Sequence, residues 1–204
     1  MSQFAPVVYV VDDEDSFRRF AGTLLATVGL ESVPCATGGA LLEAYSDERP
    51  SCVLLDVRLP DQGGLQVLAQ LAERPLPPPV IVITGHADVP MAVQALKSGA
   101  LEFLEKPVRN QDLLDKVQKA IAADVAGRLE RMKLQEIVNR LESLSPRERE
   151  VMDLVVDGVP NKAIASALGL SMKTIEFHRA RVMRKMEAES SADLIRQVLI
   201  ARRS

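Results

Sequence analysis

Apolar runs and polar breaks alternate along the first 120 residues in a way that predicts the elements directly. Val7-Val8-Tyr9-Val10-Val11, Cys52-Val53-Leu54-Leu55 and Val80-Ile81-Val82-Ile83 are continuous apolar runs, the pattern of strands buried on both faces of a parallel sheet. Weaker strands are expected at Glu31–Cys35 and Leu101–Leu104. Phe17, Phe20, Ala21, Leu24, Leu25 and Val28 recur at helical spacing, and Gly29 closes that helix. Thr37-Gly38-Gly39 opens another, and further helices are expected over about 65–72, 89–98 and from 111 onward. Arg74-Pro75-Leu76-Pro77-Pro78-Pro79 is a stiff, non-helical connector. Five strands alternating with five helices predict an α/β fold with helices on both faces of a parallel sheet.

The period then changes. Leu114, Val117, Ile121, Val125, Leu129 and Met132 recur three or four apart, with no proline before Pro146, so the helix is expected to run to about Leu141. Such a stripe suits a short coiled coil and a frayed linker equally well. Beyond it, Ser145, Pro146 and Glu148 form the start of a helix, with Ser145 as cap and Glu148 closing a capping box. Asn161 is expected to cap a short helix carrying Ile164, Ala165 and Leu168. Gly169-Leu170-Ser171 makes a turn, and Ser171 caps a helix from Met172 to about Met186. Ile175, Val182 and Met183 point inward; Lys173, Thr174, Glu176, His178, Arg179, Arg181, Arg184 and Lys185 lie on its polar face. Two short helices about a glycine turn, the second one basic, fit a helix-turn-helix at about 161–180. A last helix from Ser191 makes the second half an all-α, four-helix domain. The expected division is 1–123, a helical linker over 124–140, and 141–204.

Composition narrows the class. Of 204 residues, 47% are hydrophobic and 26% charged, as in a globular protein, and no run approaches the 18 apolar residues of a membrane span. The N-terminal residues lack the pattern of a signal peptide, and Cys35 and Cys52 show no zinc or redox spacing, so the expected location is the reducing cytoplasm, with no membrane partner. Residues 1–125 hold 10 Lys+Arg against 17 Asp+Glu, whereas residues 126–204 hold 15 against 11. An acidic module is thus joined to one suited to a polyanion.

The chemistry gathers at strand ends. In a flavodoxin-like (βα)5 order, 2-1-3-4-5, strands one and three are neighbours at the switch point where ligands bind. That order brings together Asp12 and Asp13 after strand one and Asp56 at the end of strand three, with Thr84 and Lys106 ending strands four and five. Three clustered carboxylates call for a cation, and hard oxygen donors with room for water suit Mg²⁺. A carboxylate nucleophile beside Mg²⁺, with a hydroxyl and an ammonium for phosphoryl oxygens, is equipment for phosphoryl transfer to Asp. Haloacid-dehalogenase-like phosphatases also use an Asp nucleophile, but need a second Asp two residues on, where this chain has Arg58.

Val11-Asp12-Asp13, Leu55-Asp56-Val57-Arg58-Leu59-Pro60, Thr84-Gly85-His86 and Lys106-Pro107 together resemble the receiver domain of bacterial two-component response regulators. The resemblance implies that Asp56 accepts the phosphoryl group from a histidine kinase. It implies Mg²⁺ held by Asp12, Asp13, Asp56 and the backbone carbonyl of Arg58, phosphoryl oxygens bound by Thr84 and Lys106, and Phe103 as a switch aromatic. Lys106-Pro107 is expected to be cis, Val108 departs from the Phe common after Lys-Pro, and Arg58 and His86 are expected to tune acyl-phosphate lifetime. The chain catalyses only its own phosphorylation and dephosphorylation in this reading, and is not a turnover enzyme.

Leu144-Ser145-Pro146-Arg147-Glu148, Asn161-Lys162, Ile164-Ala165, Leu168-Gly169-Leu170-Ser171, Thr174-Ile175 and His178 resemble the LuxR-type DNA-binding domain. The combination is similar to the NarL/FixJ class, and closest to its FixJ-like branch. It implies a phosphorylation-promoted homodimer that binds promoter DNA, with RNA polymerase as a further partner. In that reading Glu176 and Phe177 face bases, while Lys162, Lys173, Thr174, Arg179, Arg181, Arg184 and Lys185 contact phosphates and His178 is structural or touches the backbone.

Overall fold

The computed structural model describes residues 5–85 and 89–202. Its five strands are β1 (Val7–Val11), β2 (Glu31–Cys35), β3 (Ser51–Asp56), β4 (Val80–Thr84) and β5 (Glu102–Glu105). They pair in parallel in the order β2-β1-β3-β4-β5, as expected. The strand expected at Leu101–Leu104 lies one residue further on, with the Leu101 N–H donating to the Val80 carbonyl at 2.8 Å just ahead of it.

Between the strands lie α1 (Asp15–Ala26), α2 (Gly38–Ala44), α3 (Gly64–Ala72) and α4 (Val89–Lys97), and α5 (Asn110–Glu142) follows the sheet. Alternate residues of one strand serve opposite faces. Val7, Tyr9, Val11, Val53, Leu55, Val80 and Val82 join one cluster with Leu41, Val67, Leu68, Leu71 and Ala95 from α2, α3 and α4. Val8, Val10, Cys52, Leu54, Ile81 and Ile83 join another with Ala21 and Leu25 of α1 and Leu113, Val117, Ala120 and Ile121 of α5. This two-sided burial is why β1, β3 and β4 read as unbroken apolar runs. The register sets Val11 beside Leu55 and Asp56 beside Ile83, so the carboxyl ends of β1, β3 and β4 share one edge.

The chain divides into two compact units between Arg128 and Leu129, inside α5. The stripe along that helix splits accordingly: Val117 and Ile121 are buried, whereas Val125, Leu129 and Met132 are exposed. Asp124 accepts a hydrogen bond from the Ser51 N–H at 2.8 Å and pairs with Arg128, which also donates to the Asp47 carbonyl. The expected linker is therefore helical throughout, and its first turns are tied to the base of β3.

The second unit contains α6 (Pro146–Val156), α7 (Asn161–Leu168), α8 (Met172–Lys185) and α9 (Ser191–Arg202). Ser145 and Glu148 form the expected capping box, and Ser171 caps α8 by accepting from the Thr174 N–H. Gly169 takes φ 64° to end α7, a conformation that costs glycine little. One cap differs: Pro160 precedes α7 and Asn161 is its first residue, its side chain accepting from Arg179 instead. Leu144, Val151, Met152, Val155, Ile164, Ile175, Val182, Met186, Leu194 and Val198 make the core, against which Ile137 and Leu141 also pack.

Candidate functional site

The sheet's shared edge brings the strand-end residues together. Asp12, Asp13 and Asp56 each offer a carboxylate oxygen such that all three lie within 4.8 Å of one another. Asp12 and Asp56 are buried and Asp13 is exposed, so the cluster opens to water on one side. Lys106 reaches in from the end of β5, with Nζ 2.6 Å from Asp12 Oδ2 and 2.9 Å from Asp56 Oδ2. The backbone aims the other oxygens: Glu14 N–H donates to Asp12 Oδ1 at 2.9 Å, and Arg58 N–H to Asp56 Oδ1 at 3.0 Å. Thr84 is buried at the end of β4, and its carbonyl accepts from the Lys106 N–H at 2.9 Å. The Lys106–Pro107 peptide is cis. Phe103 is half-buried against the cluster on the α2–α4 side of the sheet, and His86 lies outside the described residues.

The electrostatics of this pocket favour a cation. Burial holds the Asp12 carboxyl above the usual carboxylate range, even with Lys106 hydrogen-bonded to it. Burial also works to lower Lys106, but its bonds to Asp12 and Asp56 outweigh that and hold it above its ordinary value. Asp12 therefore holds its proton more tightly because it is buried, and Lys106 because two carboxylates surround it. The donors are all carboxylate or carbonyl oxygens, the set that suits Mg²⁺ and not a softer metal.

Several contributors left no readable mark in the sequence. Phe17 of α1 lies beneath Lys106, with Nζ 4.5 Å from the ring centroid. Arg18 bonds the carbonyls of Asp12 and Asp13. Asp61 accepts from the N–H groups of Gly38 and Gly39 at 3.1 and 2.8 Å, joining the loop after Asp56 to the start of α2. Those amides, chiefly that of Gly39, hold the Asp61 carboxyl below the usual range. The only hint was the acid's place near the glycine pair; nothing periodic marks such contacts.

In the second unit α8 presents Lys173, Glu176, Phe177, Arg181 and Arg184 to solvent, and Lys162 is exposed on α7. Phe177 is 57% exposed, with the Arg181 guanidinium 5.5 Å from its ring centroid. Thr174, Arg179 and Lys185 of the expected DNA face have partners within the unit. Arg179 donates to Asn161 Oδ1 and to Ser191 Oγ, and the Thr174 hydroxyl lies 2.8 Å from that of Ser171. Lys185 donates to Glu148 and to the Ser143 carbonyl, both at 2.7 Å, while Arg181 pairs with the other Glu148 oxygen at 3.1 Å. His178 is half-buried, with Nδ1 enclosed and unpartnered among the described residues.

Comparison with known proteins agrees with both halves. Residues 8–118 match the model of the response regulator receiver domain, and residues 142–198 that of the bacterial regulatory proteins of the luxR family. The chain is 45% identical over 191 residues to the C4-dicarboxylate transport transcriptional regulatory protein DctR of Rhodobacter capsulatus, covering 93% of this chain and 97% of that protein. It is 40% identical over 192 residues to the transcriptional regulatory protein FixJ of Rhizobium meliloti, covering 94% of each. The solved structure of the response regulator StyR matches with a TM-score of 0.86 at 35% identity, over 96% of this chain and 98% of that one. A receiver fold and a LuxR-type domain in this order, matched end to end by named regulators, place the chain in one family: it is a two-component response regulator of the NarL/FixJ class, a transcriptional regulator.

Proposed function

We propose that Asp56 accepts a phosphoryl group from the phosphohistidine of a partner kinase, and that the phosphorylated chain dimerises and binds promoter DNA through α8. The observation that carries this reading is the convergence of three carboxylates within 4.8 Å, with Lys106 bridging two of them. Asp12, Asp13, Asp56 and the Arg58 carbonyl would hold Mg²⁺, which when bound neutralises charge on the phosphoryl oxygens. An Asp56 carboxylate oxygen attacks phosphorus while the P–N bond to the kinase imidazole breaks, and the departing nitrogen takes a proton. The Arg58 N–H keeps the carboxylate in orientation through Oδ1, leaving Oδ2 to react as Lys106 shifts its bond to a phosphoryl oxygen. The Thr84 hydroxyl binds a second such oxygen, and Phe103 follows it inward.

The added phosphate brings about −1.5 to −2 charge at neutral pH. Exposed Val93 and Leu96 on α4 and Leu101 before β5 support this side as the dimer face. Two α8 helices then reach half-sites about 34–36 Å apart. Lys162, Lys173 and Arg184 contact phosphates, Glu176 and Phe177 face bases, and Arg181 divides between Glu148 and the DNA. Arg179 and Lys185 act mainly by holding α8 in place.

The test is incubation with acetyl phosphate or the kinase in Mg²⁺, read by intact mass and by light scattering after gel filtration. The wild type is expected to gain one phosphoryl group and shift from monomer to dimer. Asp56→Asn should do neither; undiminished labelling of that variant rejects Asp56 as the acceptor.

A further inference from the structure

Adjacent arginines on α1 have different surroundings. Arg19 has a side chain 81% exposed and pairs with Asp15 at 2.7 Å. Arg18 has a side chain only 15% exposed and turns back under the loop after β1. Its Nη1 donates to the Asp12 carbonyl at 2.6 Å and the Asp13 carbonyl at 2.9 Å, while Nη2 lies 3.1 Å from Asp15 Oδ1. One planar guanidinium thus fixes two consecutive peptide units and the first residue of α1, a fork that an ammonium cannot reproduce.

The contact goes to carbonyls and leaves both carboxylates available. The Asp12 carboxylate is further steadied by Glu14 N–H and Lys106, but that of Asp13 is exposed, so its direction depends on the backbone beneath it. Resting on the reading of this pocket as a Mg²⁺ site, we infer that Arg18 is a positioning residue for that cation. It sets the aim of Asp13, and of Asp12 beside it, by tying down the loop that carries them.

Charge and geometry make opposite forecasts here. A cationic side chain near the site repels Mg²⁺, so if Arg18 acted by charge alone, removing it would tighten binding. If it acts by position, removing it loosens binding, and so does Arg18→Lys, which keeps the charge and loses the fork. Changes to groups that orient metal ligands typically lower affinity by about 10–100-fold.

The experiment is Mg²⁺ titration of the full, unphosphorylated chain by calorimetry, with ¹H–¹⁵N spectra confirming that the fold outside this loop is unchanged. Arg18→Lys and Arg18→Gln should each weaken Mg²⁺ binding about tenfold or more, with the Asp12 and Asp13 amide signals displaced. Arg19→Gln, which also removes a partner of Asp15, should leave affinity within twofold of wild type. Equal or tighter binding by Arg18→Lys overturns the positioning role while leaving the Mg²⁺ site intact. A wild type that takes up no Mg²⁺ overturns the site itself and this inference with it.

Discussion

Lys185 Nζ lies 2.7 Å from Glu148 Oε2, so the last turn of α8 is fastened to the first turn of α6 through a carboxylate that is itself buried. Glu148 also accepts from the Ser145 N–H at 2.9 Å and pairs with Arg181 at 3.1 Å. One acid therefore caps its own helix and sets the orientation of the basic one. Its bond from Lys185, with the Ser145 amide next, lowers its pKa from 4.5 to about 2.

A folded-state value below the unfolded one means that the unfolded chain binds the extra proton first. Glu148 therefore contributes its full stabilisation above about pH 4.5, and loses it as pH falls toward 2. The contribution near neutrality is on the order of 3 kcal/mol. Glu148→Gln should lower the stability of the second unit by about that much at pH 7, and the gap from wild type should close as pH approaches 2. Urea unfolding followed by circular dichroism across this range is the measurement; a gap independent of pH would show that the ion pairs contribute nothing.

Removing Lys106 should expose the pocket's need for a cation. Without its ammonium, buried Asp12 and Asp56 face each other with no internal counter-charge from β5. Losing one partner of a buried ion pair costs about 3–5 kcal/mol, and a ligand at 100 times its Kd returns about 2.7. Lys106→Ala is accordingly expected to melt well below wild type in EDTA and to gain more than wild type from Mg²⁺. Equal Mg²⁺ increments in Tm for the two proteins would mean that ammonium and metal do not share the same carboxylates.

Gly64 lies against the backbone just after Asp56. A Cβ added there would come 2.1 Å from the Asp56 carbonyl oxygen and 2.7 Å from Val57 Cα, neither of which can swing aside. The loop from Val57 is closed by the Gly64 N–H donating to the Val57 carbonyl at 2.8 Å, so relief requires opening that loop. Gly64→Ala should destabilise the first unit by about 3 kcal/mol, the upper end of what overpacking typically costs, because the atoms it meets are backbone. Chemical denaturation monitored at the two units separately checks this, and an unchanged midpoint for the first unit would contradict it.

The parts that were legible in the sequence are those written by repetition or by adjacency. Val7–Val11, Ser51–Asp56 and Val80–Thr84 are buried along their whole length, and that is what an unbroken apolar run encodes. The site followed from topology, since Asp12, Asp56 and Lys106 each end a strand and the sheet order makes those ends neighbours. The Ser145–Glu148 box was legible because its partners are three residues apart. By contrast, the same Glu148 meets Lys185 from 37 residues away, and Arg179 meets Asn161 from 18. Neither pair has a period, so nothing in the sequence told the α8 cations that bond within the unit from those that face solvent. The linker stripe gave the helix, which runs to Glu142, but not its covering, because the spacing of Val117 and Met132 is alike while Val117 is buried and Met132 is exposed.

That division within α8 gives the last prediction. Arg184 is exposed, and among the described residues no ion pair is found for it, whereas Lys185 is paired with Glu148 and bonded to Ser143. A residue that only neutralises a phosphate adds about 0.9 to the slope of log K against log salt and nothing to folding. Arg184→Ala should thus weaken promoter binding across all sequences and flatten the salt slope by about one, with Tm unchanged. Lys185→Ala should lower Tm by several degrees, as expected for the loss of a partner to a buried carboxylate, with a smaller change in salt slope. Fluorescence anisotropy of a labelled promoter over a range of salt, run beside thermal melts, separates the two. A fall in Tm for Arg184→Ala, or a full unit of slope lost in Lys185→Ala with its stability intact, would reverse the assignment of which cation serves the DNA and which serves the fold.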